Sequence, residues 1–164
     1  MRARQLAGEF PTVTPDSSAL EAARLLAEHR LPGLIVVDET GRPLAVLPSS
    51  QLIRSIIPGY VQDDPALARV FDEEHADRLC ASLAGKRVAD LLPKDRTPPP
   101  TVDANATAME IASVMAATRS PVVAVSGDPH RSDAPMIGVV TASQLLDRLL
   151  RRYEDSGPAA HDDR

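Results

Sequence analysis

The chain has few aromatic residues: they make up 2% of 164 positions, with no Trp, two Phe and two Tyr. A stacking platform for single-stranded nucleic acid needs several exposed rings, so this scarcity argues against one. Basic charge is not in surplus either. The net charge is −5 and no Lys/Arg-rich run stands out, which argues against a dedicated nucleic-acid binder. No apolar run approaches the roughly 20 residues that span a bilayer, so no membrane contact is expected. Residues 1–10, MRARQLAGEF, lack the apolar core of a signal peptide. One cysteine, Cys80, rules out an intramolecular disulfide. The expected setting is a soluble, cytoplasmic protein. Metal ligands are sparse: His75 and Cys80 stand five apart, with no second thiol or nearby His to complete a zinc set. No His or Cys lies in a recognisable nucleophile motif and there is no Gly-rich phosphate loop. No catalytic residue, no metal site and no required cofactor are therefore expected.

What the chain does have is aliphatic. A hydrophobic fraction of 43%, mostly Leu, Val, Ile and Ala, supports one domain or two small ones sharing a core. The most informative stretch is residues 135–150, PMIGVVTASQLLDRLL. Its first half is a short apolar run around a Gly, suited to a buried strand, and Leu145, Leu146, Leu149 and Leu150 then recur at helical spacing. Thr141-Ala142-Ser143-Gln144 sits between them. A strand that turns directly into a helix leaves unpaired backbone N–H groups. With a hydroxyl beside them, these can seat a polar or anionic ligand, or the hydroxyl can cap its own helix.

A second copy exists. Residues 44–53, LAVLPSSQLI, place Ser50-Gln51-Leu52 against Ser143-Gln144-Leu145. Upstream, Thr12-Val13 matches Thr101-Val102, Glu21 matches Glu110, Ala23 matches Ala112, Arg30 matches Arg119 and Pro32 matches Pro121. One offset carries residues 12–38 onto the later copy without a gap, and about a third of the pairs are identical. Each copy reads strand, helix, strand, strand, helix, preceded by a helical turn at residues 3–7 or 88–92. In the first copy Ser18 with Glu21 has capping-box spacing. In the second, Asn105 or Thr107 can cap. Between the copies, Asp64-Pro65 offers a cap and a first-turn proline. Leu67, Val70, Phe71, Leu79 and Leu83 then predict one or two amphipathic helices closed by Gly85. Asp72, Glu73, Glu74 and Asp77 read as a solvated acidic face. The expected division is residues 1–59 first repeat, 60–86 helical insert, 87–152 second repeat and 153–164 flexible tail.

The pieces T-V-x-P-D at residues 12–16, H-R-L-P at 29–32 and G-V-V-T-A-S-Q at 138–144 resemble CBS domain motifs. Two copies in this order resemble a CBS pair, or Bateman module, and the insert wording resembles small stand-alone actinobacterial CBS-pair proteins. The resemblance implies an α/β (α+β) fold, two β-α-β-β-α repeats packed about a pseudo-two-fold axis. It implies a non-catalytic regulatory or sensor module and a homodimer formed through helices. Clefts between the repeats would bind an adenosine derivative: AMP, ADP, ATP or S-adenosylmethionine. In the second repeat Thr101, Val102, Pro121 and Val123 would face the adenine. Thr141 would bond the ribose or phosphate, Arg119 would meet phosphate, and Gln144 would stand at the ribose. The first-repeat counterparts are Thr12, Val13, Arg30, Pro32, Leu34 and Gln51. Two departures stand out: Gln51 and Gln144 replace the motif's Asp, and Pro48 replaces its Thr. A module that has lost its ligand and works through its dimer surface or its insert is the alternative.

Overall fold

The computed structural model describes residues 1–128, 131 and 134–157. Two three-stranded sheets form among them. The first contains β1 (Thr12–Val13), β2 (Gly33–Val37) and β3 (Pro43–Pro48), and the second β4 (Thr101–Asp103), β5 (Val122–Ser126) and β6 (Met136–Thr141). In each sheet the short strand pairs parallel with the middle one, which pairs antiparallel with the third. The middle strands GLIVV and VVAVS are buried at every position, as expected of apolar, largely branched runs covered on both faces.

Side chains alternate across a strand, so each sheet has two sets. In the first sheet Val13, Leu34, Val36, Ala45 and Leu47 join a core with α2 (Ala19–His29) and Leu52 of α3 (Ser49–Ile56). Val102, Val123, Val125 and Val140 do the same in the second, with α7 (Ala108–Thr118) and Leu145 of α8 (Ala142–Ser156). Helix α8 runs on to Ser156, into the stretch expected as a tail, and residues from 158 lie outside those described.

Two compact units arise, and each takes in a short lead helix. One comprises Met1–Phe10 with the chain from Pro100 onward, the other Pro11–Pro99. Helix α1 (Ala3–Leu6) puts Ala3 and Leu6 into the core of the second repeat. Its Ala3 and Arg4 N–H groups donate to the Ala106 and Ala104 carbonyls at 2.8 and 2.9 Å. Helix α6 (Val88–Leu91) does likewise for the first repeat. Val88 and Leu91 enter the core, and the Val88 and Ala89 N–H groups donate to the Ser17 and Pro15 carbonyls, both at 2.9 Å.

Two local expectations change. The stretch between the repeats is helical, but in four short pieces rather than one or two amphipathic helices. It breaks into α4 (Gly59–Asp63), a 3₁₀ turn at Pro65–Val70, α5 (Glu73–Asp77) and a second 3₁₀ turn at Leu79–Leu83. Pro58 and Pro65 interrupt the helical ladder, and Gly85 at φ 77° ends the series. Asp64 caps the first 3₁₀ turn through the Ala66 N–H, and Leu83 reaches the first repeat's core fully buried. In α2, Ser18 is the N-cap residue but its hydroxyl makes no cap bond, so the Ser18–Glu21 box does not form. The neighbouring Ser17 hydroxyl instead lies 3.2 Å from that of Thr14 and accepts the Thr14 N–H.

Candidate functional site

The junction between β6 and α8 is built by its own sequence. Thr141 is the N-cap: its hydroxyl oxygen accepts the Gln144 N–H at 3.2 Å, and Gln144 Oε1 accepts the Thr141 N–H at 2.9 Å. This reciprocal box satisfies two of the helix's orphan donors. Thr141 is in register with Val122, and the Ala142 N–H donates to the Pro121 carbonyl at 2.8 Å. Pro121 therefore leads into the sheet beside the Thr141–Ala142 turn. Arg119 ends α7 in the left-handed region, at φ 52°. Arg30, its counterpart after α2, does the same at φ 51°. A non-glycine residue there costs about 1–2 kcal/mol, and both arginines are exposed.

The first repeat keeps the backbone plan and loses the chemistry. Pro48 pairs with Gly33, and the Ser49 N–H donates to the Pro32 carbonyl at 3.0 Å. Proline has neither an N–H nor a hydroxyl, so no box can form. Gln51 turns away instead, and its amide donates to the Leu91 carbonyl at the end of α6, at 3.3 Å.

The remaining predicted residues divide by strand face. Thr12 and Thr101 are exposed, as are Pro32 and Pro121. Val13, Leu34, Val102 and Val123 point into their repeat's core, so only their backbones are placed to meet a ligand. Residue spacing alone did not single out Gly8 or Leu91, the lead-segment partners of the two glutamines. A Cβ at Gly8 would stand 3.2 Å from Gln144 Nε2. The matching lead turns ahead of each repeat were the available signal. Gly138 belongs to the same contact: a Cβ there would come 2.9 Å from Ala7 Cβ, so close approach of the lead segment requires glycine.

A hollow of about 540 Å³ lies on the second repeat's unit, lined in part by Arg2, Val102, Asp103, Asn105, Glu110 and Ser113. Arg2 donates to the Asn105 carbonyl at 2.9 Å. One buried Asp103 oxygen has no hydrogen-bond partner. Glu110 and Thr107 form the capping box of α7. The Thr107 backbone N–H, then its hydroxyl and the Arg2 charge, hold the Glu110 carboxyl below its ordinary pKa. A depressed folded pKa makes this contribution to stability fully present above the unfolded pKa. It is lost as pH falls through the folded value. Among the described residues no group of three His, Cys, Asp or Glu could hold a metal ion. No described helix is long and apolar enough to cross a membrane.

Known proteins match this doubled architecture. The CBS domain family matches residues 4–58 and 88–151, the two repeats and little else. The chain belongs to the CBS domain family. A CBS-domain-containing protein from Kribbella flavida is 49% identical, with a TM-score of 0.79 over 92% of this chain and 99% of that one. CBSX2 of Arabidopsis thaliana, solved in complex with AMP, is 21% identical, with a TM-score of 0.62 over 92% and 97% of the two chains. The CBS domain pair of protein MJ0100, in complex with 5′-methylthioadenosine and S-adenosyl-L-methionine, is 16% identical. Its TM-score is 0.60 over 93% and 98%. The last two show the fold alone. No curated protein sequence matches this CBS pair. The expected fold, two CBS repeats of mixed α and β structure, is the one found.

Proposed function

We propose that this CBS pair is a non-catalytic cytoplasmic regulatory module that binds an adenosine derivative at the second-repeat junction. AMP, ADP, ATP and S-adenosylmethionine are the candidates. The supporting observation is Thr141. Its hydroxyl is half-buried at a strand-to-helix turn, fixed in direction by the cap, and accepts one bond while keeping its proton to donate. Arg119, which ends α7 three residues before β5, holds a left-handed backbone, the kind of cost that is retained where a side chain has work to do. Pro48 leaves the first repeat without that hydroxyl, so the second repeat is the favoured site.

Calorimetry with the four candidates tests this. A hydrogen bond to a charged group is worth about 1.5–3 kcal/mol, so Thr141→Val should weaken binding roughly tenfold or more. Thr141→Ser keeps both the hydroxyl and the cap and should retain binding. No binding of any candidate at millimolar concentration sinks the proposal.

A second reading, a ligand-free module that dimerises, has its own support. Leu146, Leu149, Leu150 and Tyr153 recur at i, i+3, i+4 and i+7 along α8 and are 59%, 40%, 58% and 64% exposed. No described residue covers this stripe, and such a face suits a second copy. A homodimer should sediment at twice the chain mass of 17.5 kDa. A single species at the chain mass, at micromolar concentration, rules it out.

A further inference from the structure

A second hollow, of about 400 Å³, lies within the unit that holds the second repeat, between α1 and α8. Gln5 and Leu6 line it from α1, and Arg148, Arg151 and Arg152 from α8. Leu6 is buried and gives the hollow an apolar wall. Helical spacing explains why the arginines converge. Positions i, i+3 and i+4 share one face, with Cβ atoms about 5–6 Å apart.

Like charges at that spacing repel and weaken a helix. Arg151 is relieved within the chain, its Nε donating to Asp147 at 2.9 Å. Arg148 and Arg152 meet no carboxylate among the described residues. Asp155 also lines the hollow and pairs with none of the three. The helix dipole does not explain the cluster, because the last turn of α8 holds no basic residue. The chain as a whole is acidic, at −5, so two unpaired guanidiniums in one hollow run against its general charge.

The partner that fits is an anion with several charged oxygens. Guanidinium forks take phosphate oxygens in pairs. A lone carboxylate fills one fork, whereas a chain of phosphates can reach two. Nucleic acid is a poor candidate, since a net-negative chain repels its backbone. Arg148 stands seven residues along α8 from Thr141, about 10 Å by helical rise.

We propose that the hollow between α1 and α8 binds the di- or triphosphate group of a small molecule through Arg148 and Arg152, at a site separate from the Thr141 junction.

Titration calorimetry with tripolyphosphate, which carries no adenosine, tests this. It is run at about 0.15 M ionic strength, where charges more than about 8 Å apart are largely screened. The native protein should bind one tripolyphosphate per chain. Arg148→Gln with Arg152→Gln removes two charge-assisted contacts and should weaken binding at least roughly tenfold. Both positions are exposed and Gln is a good helix former, so the double variant should melt at the native temperature. Thr141→Val should leave tripolyphosphate binding unchanged. No saturable binding by the native chain overturns the inference, and so does equal binding by the double variant. A tenfold loss with Thr141→Val also overturns it, because the anion would then sit at the junction. The probe has no adenosine, so its failure leaves the adenosine reading untouched.

Discussion

Leu83→Ala is expected to destabilise the protein by about 2–5 kcal/mol, the range for deleting a buried leucine side chain and leaving a cavity. Leu83 lies in the 3₁₀ turn Leu79–Leu83, outside both repeats, yet it is fully buried among Val13, Leu34, Leu47, Leu52 and Val88. Its neighbours in the same segment are mostly exposed, Val70 at 79% and Tyr60 at 56%. Val70→Ala should therefore change stability by less than about 0.5 kcal/mol, as surface substitutions do. Urea denaturation of both variants measures the contrast. Equal midpoints would show that the segment between the repeats is not anchored through Leu83.

A second large effect is expected from where the chain is cut. A fragment of residues 11–99 keeps α6 with the core it completes. A fragment of residues 1–86 looks like the first repeat plus its insert but ends before Val88 and Leu91, which are 0% and 3% exposed. It also loses the Val88 and Ala89 bonds to Ser17 and Pro15. Burying one aliphatic side chain is worth about 1.5–3 kcal/mol, so the difference is about 3–6 kcal/mol, comparable to the whole stability of a small domain. Residues 11–99 should melt cooperatively by circular dichroism while residues 1–86 should not. A cooperative transition for residues 1–86 at the same temperature would contradict this.

These two cases mark what could be read from the chain. The duplicated offset placed the strands well, because runs such as Leu34-Ile35-Val36-Val37 admit few other roles. Thr107 and Thr141 act as caps because side-chain oxygens beside the first helical turn have little else to bond. Gly138 and Leu83 were harder, since their importance comes from residues far along the chain. The insert is helical, as the spacing of its apolar residues suggests, but Pro58 and Pro65 limit each piece to a turn or so. Sequence adjacency says nothing about which core a lead helix joins. At the site, residue type located Thr141 but could not say that the Gln144 oxygen would be taken by the cap. That depends on the backbone turn.

The order of the two units along the chain has a mechanical meaning. In sequence, Pro11–Pro99 stands between the two segments that make up the other unit, Met1–Phe10 and the chain from Pro100 onward. Tension applied between Met1 and Ser156 runs through α1, the second sheet and α8. The Pro11–Pro99 unit lies off that load path until the other has opened. A pull on either end is thus felt first by the repeat that holds Thr141, while the repeat that holds Pro48 is shielded.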